Sequence, residues 1–250
     1  MAHKLFLAAI AALAFSATAG LAQTPANVAA AVADTARPAT DTVHDVDRKP
    51  AEMLAFAGLK PGDKVVDLIP GGGYFTRLFS TAVGPTGVVY AFLPAEFAGF
   101  HKGALPANGA HSDPIRPNII FLTAPVNGLT IPEPVDVVWT SQNYHDLHDS
   151  FAKPADLAQV NKAIFAALKP GGHYIVLDHA ALPGSGLSAT ETLHRIDPAA
   201  VRAEVEAAGF VFESESNVLR NPADPHTAKV FDPTIRGKTD QFLFKFRKPG

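Results

Sequence analysis

Two short stretches hold most of the side chains able to do chemistry. One reads Asn143, Tyr144, His145, Asp146, Leu147, His148, and the other is the pair Asp178, His179; Thr192, His194, Arg195 and Asp197 follow soon after. Imidazoles mixed with carboxylates allow three kinds of site. A His with a pKa near neutrality can take a proton from a hydroxyl or amine under attack. His145, His148, His179 and His194 with Asp146 are also suitable metal ligands. The third reading is a structural network in which buried His and Asp satisfy one another and the loop backbone. All three stay open at this point.

A second kind of site is carried by backbone. Residues 65–74 read VVDLIPGGGY, an apolar strand with an acid, Asp67, running into Pro70, Gly71, Gly72, Gly73 and Tyr74. Glycines after a strand let the chain turn sharply and bring N–H groups close to a ligand at the start of the next helix. Asp67 can orient that loop or accept from a ligand amine.

The elements that must position these residues are legible from periodicity. Apolar runs rich in Val, Ile and Phe recur at 64–69, 87–92, 118–123, 135–141 and 173–179, separated by helical or irregular segments. Helices are predicted over 75–82, 155–168 and 198–208, and a short amphipathic segment opens at Pro50 and stops at Gly58. Continuous apolar strands of this kind belong to a parallel sheet covered on both faces. The last segment, 240–248, alternates Phe242, Phe244 and Phe246 with other residues, as an antiparallel strand would. The expected fold is α/β: a Rossmann-like, doubly wound, mostly parallel seven-stranded sheet with an antiparallel C-terminal hairpin. Ligands of such sheets bind beyond the carboxyl ends of the strands.

The order LKPGDKVVDLIPGGGYFTR, DVVWTSQNYHDLH, ALKPGGHYIVLDH, then a helix and a final hairpin, resembles the class I S-adenosylmethionine-dependent methyltransferases over nearly the whole chain after residue 43. NYHDLH, LDH, HRID, RNPAD and FDPTIRGKTDQFLFKFRKP are similar to a bacterial branch of predicted methyltransferases, many carrying export signals. The resemblance implies S-adenosylmethionine as cofactor, held by Asp67, Gly71, Gly72, Gly73, Tyr74 and Asn143. It also implies that the ends of the fourth and fifth strands meet. His145, Asp146 and His179 are then the expected catalytic residues, and His148, His194 and Arg195 the expected substrate contacts; no metal is assigned to the site.

Two departures from the family pattern stand out. Ile69 occupies the position of the first loop glycine. The second strand ends in Leu93 and Pro94, with Glu96 the nearest acid, and the third in Thr123, Ala124 and Pro125, where the family has acids for ribose and adenine. The implied function is methyl transfer to O or N of a small molecule; the alternatives are an exported binding protein that kept the fold, and a metal-assisted enzyme using the His cluster.

Residues 1–22 have a basic start, an apolar stretch too short to span a bilayer and a small-residue end, the form of a signal peptide. Residues 23–43 read as a flexible arm or linker, or else as an ordered arm wrapping the domain, and 44–250 as the methyltransferase-like domain. The chain contains no Cys, which fits an oxidising compartment, and a periplasmic or secreted protein is expected. With 21 Lys and Arg against 24 Asp and Glu and no basic run, nucleic acid is not an expected partner, nor is a membrane after signal cleavage. A small-molecule substrate is expected, and the matter of a protein partner stays open. Arg220, Asn221, Asp224, Asp232, Arg236, Lys238 and Asp240 read as a salt-linked loop before the last strand, with an anion site at Arg220 or Arg236 as the alternative. Trp139 is expected in the core.

Overall fold

The computed structural model describes residues 24–102, 104–152 and 155–250; the signal peptide read over 1–22 lies outside them. Five parallel strands, β1 (Lys64–Leu68), β2 (Val88–Pro94), β3 (Ile119–Ala124), β4 (Val135–Ser141) and β5 (Leu168–His179), are joined by antiparallel β6 (Val211–Ser216) and β7 (Gln241–Arg247) in the order β3-β2-β1-β4-β5-β7-β6. This is the expected doubly wound sheet, with β7 inserted between β5 and β6.

Alternation along the central strands splits the core in two. Val65, Val137, Trp139 and Ile175 face helices α1 (Ala26–Val32), α4 (Pro50–Ala57) and α5 (Tyr74–Val83), whereas Val66, Val138 and Val176 face α6 (Leu157–Ala167) and α8 (Pro198–Ala207). Trp139 is fully buried against Phe75 and Phe79, at centroid distances of 4.9 and 5.4 Å, as expected of a core residue. Asp156 caps α6 by accepting from the backbone N–H of Ala158 and Gln159. Between β2 and β3 the described residues form a 3-10 turn (Ala95–Phe100) and an irregular stretch, in which Pro106, Pro114 and Pro117 disfavour a helix. That edge of the sheet is thinly covered on the side where the glycine loop opens.

Over its described residues the segment before residue 44 is the ordered arm wrapping the domain and not the flexible linker. Val28 and Ala31 of α1 are buried, and Asn27 donates to the carbonyls of Leu59 and Ala82. After α2 (Ala39–Thr42) the chain is clasped by paired charges: Arg77 grips Asp41 at 2.7 and 2.8 Å, and Arg37 grips Asp45 in α3 (Asp45–Arg48). Arg116 and Thr81 both donate to Asp34. An Ala, Thr and Pro composition without periodicity does not reveal this, since the partners are distant in sequence.

The register aligns the functional ends. Leu68 pairs with Phe92 and Thr140, Ser141 with Leu177, and His179 with Gln241. Everything that follows these strands therefore meets along one rim.

Candidate active site

At the end of β1 the chain turns at Ile69, whose φ is +60, a left-handed conformation that is uncommon for a β-branched residue. The substitution at the first loop position thus leaves the glycine-like backbone in place. Ile69 is held there because its N–H donates to Phe92 O at 2.8 Å, Asn143 Nδ2 donates to its carbonyl, and its side chain is buried in the core. Gly73, at φ +80, starts α5; a Cβ there would lie 2.7 Å from Arg77 Nη1. A Cβ at Gly71 or Gly72 would meet nothing within 4 Å, so the loop faces open space.

Two cavities open on this loop. One, of about 520 Å³, is lined by Asp67, Gly71, Gly72, Tyr74 and Asn143 on the sheet side and by Asp41, His44 and Arg48 on the arm side. The other, of about 630 Å³, runs from Gly71 and Gly72 toward β2 and β3, past Ala91, Ile119 and Phe121. All six expected cofactor residues meet here. Asp67 is buried, and burial pushes its carboxyl up to about 6 even though Thr76 Oγ1 donates to it at 2.5 Å.

A third chamber, of about 420 Å³, shares Ile69, Gly71, Gln142 and Asn143 with the loop cavity and extends over the ends of β4 and β5. His145, Asp146, His179 and His194 line it together with Phe97, Phe100, Phe151 and Phe231. The 3-10 turn His145–His148 delivers His145, whose Nδ1 lies 2.8 Å from Asp178 Oδ1 and whose backbone N–H donates to Asp178 Oδ2 at 2.8 Å. The other ring nitrogen lies 3.1 Å from Asp146 Oδ1, and His194 Nδ1 lies 3.6 Å from the same oxygen. His179 Nδ1 is 2.7 Å from Thr239 Oγ1.

This geometry changes the expected role of His145. Burial opposes a charge on its ring, but Asp178 and Asp146 on either side overcome that and raise its pKa to about 10. Burial likewise opposes ionisation of Asp178, yet the His145 ring holds it below the usual carboxylate range. His145 is thus a charged spacer between two carboxylates rather than a base titrating near neutrality. His179, pushed down to about 3 by burial and by the charge on His145 despite the pull of Asp178, is the neutral imidazole of the chamber.

Two expected substrate contacts lie elsewhere. Arg195 is fully buried and spends its N–H groups on Asp224, at 2.8 and 3.1 Å, and on the carbonyls of Ala180 and Ala228, so it anchors the loop after α7 (Thr190–Leu193). His148 points away from the chamber and lies 3.2 Å from Glu204 on α8, which also accepts from the buried Tyr144 hydroxyl. Neither residue lines the chamber. His194 does, together with Gln142, whose left-handed backbone (φ +59) no sequence motif signalled. The aromatic wall was also missed, since Phe97, Phe100, Phe151 and Phe231 come from three separate loops. In the C-terminal loop Arg220 grips Asp240 at 2.8 and 3.0 Å and His226 approaches the same carboxylate, a salt-linked arrangement.

No protein-family model matches the chain. It is 28% identical over 141 residues to the ubiquinone/menaquinone biosynthesis C-methyltransferase UbiE of Ectopseudomonas mendocina, covering 54% of this chain and 49% of that one. It is 29% identical over 138 residues to the UbiE of Pseudomonas aeruginosa, covering 54% and 48%. The chain spans about half the length of the curated relatives it matches. Among solved structures, a SAM-dependent methyltransferase from Aquifex aeolicus superposes with a TM-score of 0.56 at 19% identity, over 83% of this chain and 94% of that one. The N-methyltransferase NodS of Bradyrhizobium japonicum gives 0.52 at 11%, over 84% and 99%. With the strand order and the loop geometry, these likenesses establish that the chain has the fold of the class I S-adenosylmethionine-dependent methyltransferases.

Proposed function

We propose that the protein is an S-adenosylmethionine-dependent methyltransferase acting on O or N of a small, largely apolar molecule. The observation that carries this reading is the shared wall of Ile69, Gly71, Gln142 and Asn143, which separates the glycine-loop cavity from an apolar chamber lined by His and Asp. A cofactor in the first then faces an acceptor in the second. The UbiE relatives act as C-methyltransferases by name, so the transferring chemistry is kept while the acceptor atom is this chain's own question.

The fit to the cofactor is uneven. Open space at Gly71 and Gly72 and the buried Asp67 carboxylate suit the amino-acid end, where an ammonium gives Asp67 a partner. At the ribose end the acid nearest the end of β2 is already engaged: the Glu96 carboxylate accepts the backbone N–H of Val126 at 3.0 and 3.2 Å. When bound, S-adenosylmethionine supplies an electrophilic methyl group. The chain's part is to orient the acceptor between Phe97, Phe151 and Phe231 and to exclude water. His145, held charged, orients Asp146, and Asp146 takes the proton released by the acceptor, while the neutral His179 offers the acceptor a hydrogen-bonding partner.

Calorimetry of the purified chain with S-adenosylmethionine is the direct test. Binding with proton release below pH 6, where Asp67 must ionise, is expected; no heat and no thermal shift would sink the reading. The filled carboxylate of Glu96 favours a second reading, a binding protein that kept the fold and lost the cofactor, and no S-adenosylmethionine binding together with uptake of a small apolar ligand by the chamber would select it. Export to the periplasm belongs to the same proposal and is checked by fractionating cells of the native host.

A further inference from the structure

We propose that His145 Nε2, Asp146 Oδ1 and His194 Nδ1 form a binding site for a divalent transition-metal ion in the wall of the apolar chamber. The three ligand atoms all lie within 4.8 Å of one another, two of the separations being 3.1 and 3.6 Å. An ion with N and O ligands at about 2.0–2.2 Å spaces them about 3–3.5 Å apart, so closure of one pair completes the set. The ion takes the place of the 3.1 Å contact between Nε2 and Asp146 Oδ1, and its binding displaces the proton on Nε2 to solvent.

The site is built before any ion arrives. Asp178, fully buried, fixes the His145 ring through Nδ1 and turns Nε2 to the chamber, which is how a carboxylate behind a ligating imidazole orients it. His194 sits at φ +55, a strained backbone for a non-glycine residue, and the next residue, Arg195, is locked by its four hydrogen bonds. That lock sets where His194 points. The charge balance also favours a cation. Asp149, 2% exposed, lies 4.0 Å from His194 Nδ1, and among the described residues the chamber lining contains neither Lys nor Arg.

Two imidazoles and one carboxylate suit Zn²⁺, Fe²⁺ or Co²⁺ better than Ca²⁺ or Mg²⁺, which prefer oxygen. Three protein ligands leave positions open to the chamber, the arrangement of a catalytic centre rather than a structural one. An acceptor oxygen bound there loses its proton more easily. This last role rests on the methyltransferase reading; the binding of the ion does not.

The test uses the tag-free chain, stripped with chelator and titrated with Zn²⁺ and Co²⁺, read by elemental analysis after equilibrium dialysis and by the visible bands of bound Co²⁺. One ion per chain is expected. His194→Gln and Asp146→Asn, both at the chamber wall and checked for folding by circular dichroism, should each lower affinity by more than about 100-fold, and Asp178→Asn by about 10–100-fold. His148→Gln and His173→Gln should change nothing. Absence of stoichiometric binding, or affinity in both wall variants equal to that of the unmodified chain, overturns the site. Failure of methyl transfer with the ion bound counts only against the proposed function, whereas transfer at full rate by ion-free chain removes the ion's catalytic role while its binding stands or falls on the dialysis result.

Discussion

The two walls of the cleft are made of different material. At the end of β1 the cleft presents mainly backbone: the loop at Gly71 and Gly72 faces open space. At the ends of β4 and β5 the cleft presents side chains, and these are locked, with Asp178 accepting from His145 twice and from the N–H of His179. A backbone wall tolerates a change of residue so long as the conformation survives, and Ile69 at φ +60 is that case. A side-chain wall does not, because each buried polar group leaves a partner stranded when it is lost.

The largest break in this contrast should come from Asp178. Asp178→Ala leaves the charged His145 ring and two backbone N–H groups buried without their acceptor, and should cost about 3–5 kcal/mol in urea unfolding. A loss of about 1 kcal/mol or less would show that the network relaxes and that the wall is not locked.

Next in size is a pH effect on the opposite wall. The carboxyl of Asp67 rises from 3.8 to about 6 on folding, so the folded state carries a penalty above pH 6 that is absent below pH 4. Stability from this group therefore falls as pH rises through that window, the reverse of the paired acids Asp178, Asp224 and Asp240, whose carboxyls are held low. Asp67→Asn lacks the penalty. Its stability relative to the unmodified chain should climb by about 3 kcal/mol between pH 4 and pH 7, and a flat difference would mean that the hydrogen bond from Thr76, or a cation reaching the site, holds the folded carboxyl near its ordinary value.

The contrast also explains what the sequence disclosed. The parallel strands, α5, α8 and the ligand loop were legible because apolar runs and Gly-rich turns are local patterns. His145, Asp146, His179 and His194 were also legible as a cluster once strands four and five were placed side by side. What stayed hidden was direction. Nothing local distinguishes His194, which enters the chamber, from His148 three residues past His145, which turns to Glu204, or from Arg195, which is consumed by Asp224. The arm was hidden for the same reason: Asp34, Asp41 and Asp45 find Arg116, Arg77 and Arg37 only in three dimensions. The pKa of His145 depends on two carboxylates meeting one ring, which composition cannot reveal.

A finer break separates backbone from side chain at one residue. Ile69→Gly and Ile69→Ala remove nearly the same buried surface, but alanine keeps a Cβ at φ +60 and glycine does not. The usual helix-and-strand order is then inverted, with Ile69→Gly more stable than Ile69→Ala by about 1 kcal/mol in chemical denaturation. If alanine is the more stable of the two, the loop has shifted to accommodate it, and the backbone wall is less fixed than its hydrogen bonds to Phe92 and Asn143 indicate.

The smallest effect on stability should fall at the mouth, where the two walls give way to an aromatic rim. Phe231 is 57% exposed and stacks edge-on to the His194 ring at 4.9 Å, while Phe100, 68% exposed, packs on Phe151 at the same centroid distance. Exposed rings of this kind contribute little to folding, so Phe231→Ala should alter stability by less than about 0.5 kcal/mol. They line an apolar chamber, however, and the face they offer a ligand is lost with the ring. Binding of an anilinonaphthalene sulfonate dye, followed by fluorescence, should weaken about tenfold, the equivalent of about 1.4 kcal/mol of apolar contact. Unchanged dye affinity would place the apolar contact deeper, on Phe97 and Phe151, and would leave the rim as a cover for His194 alone.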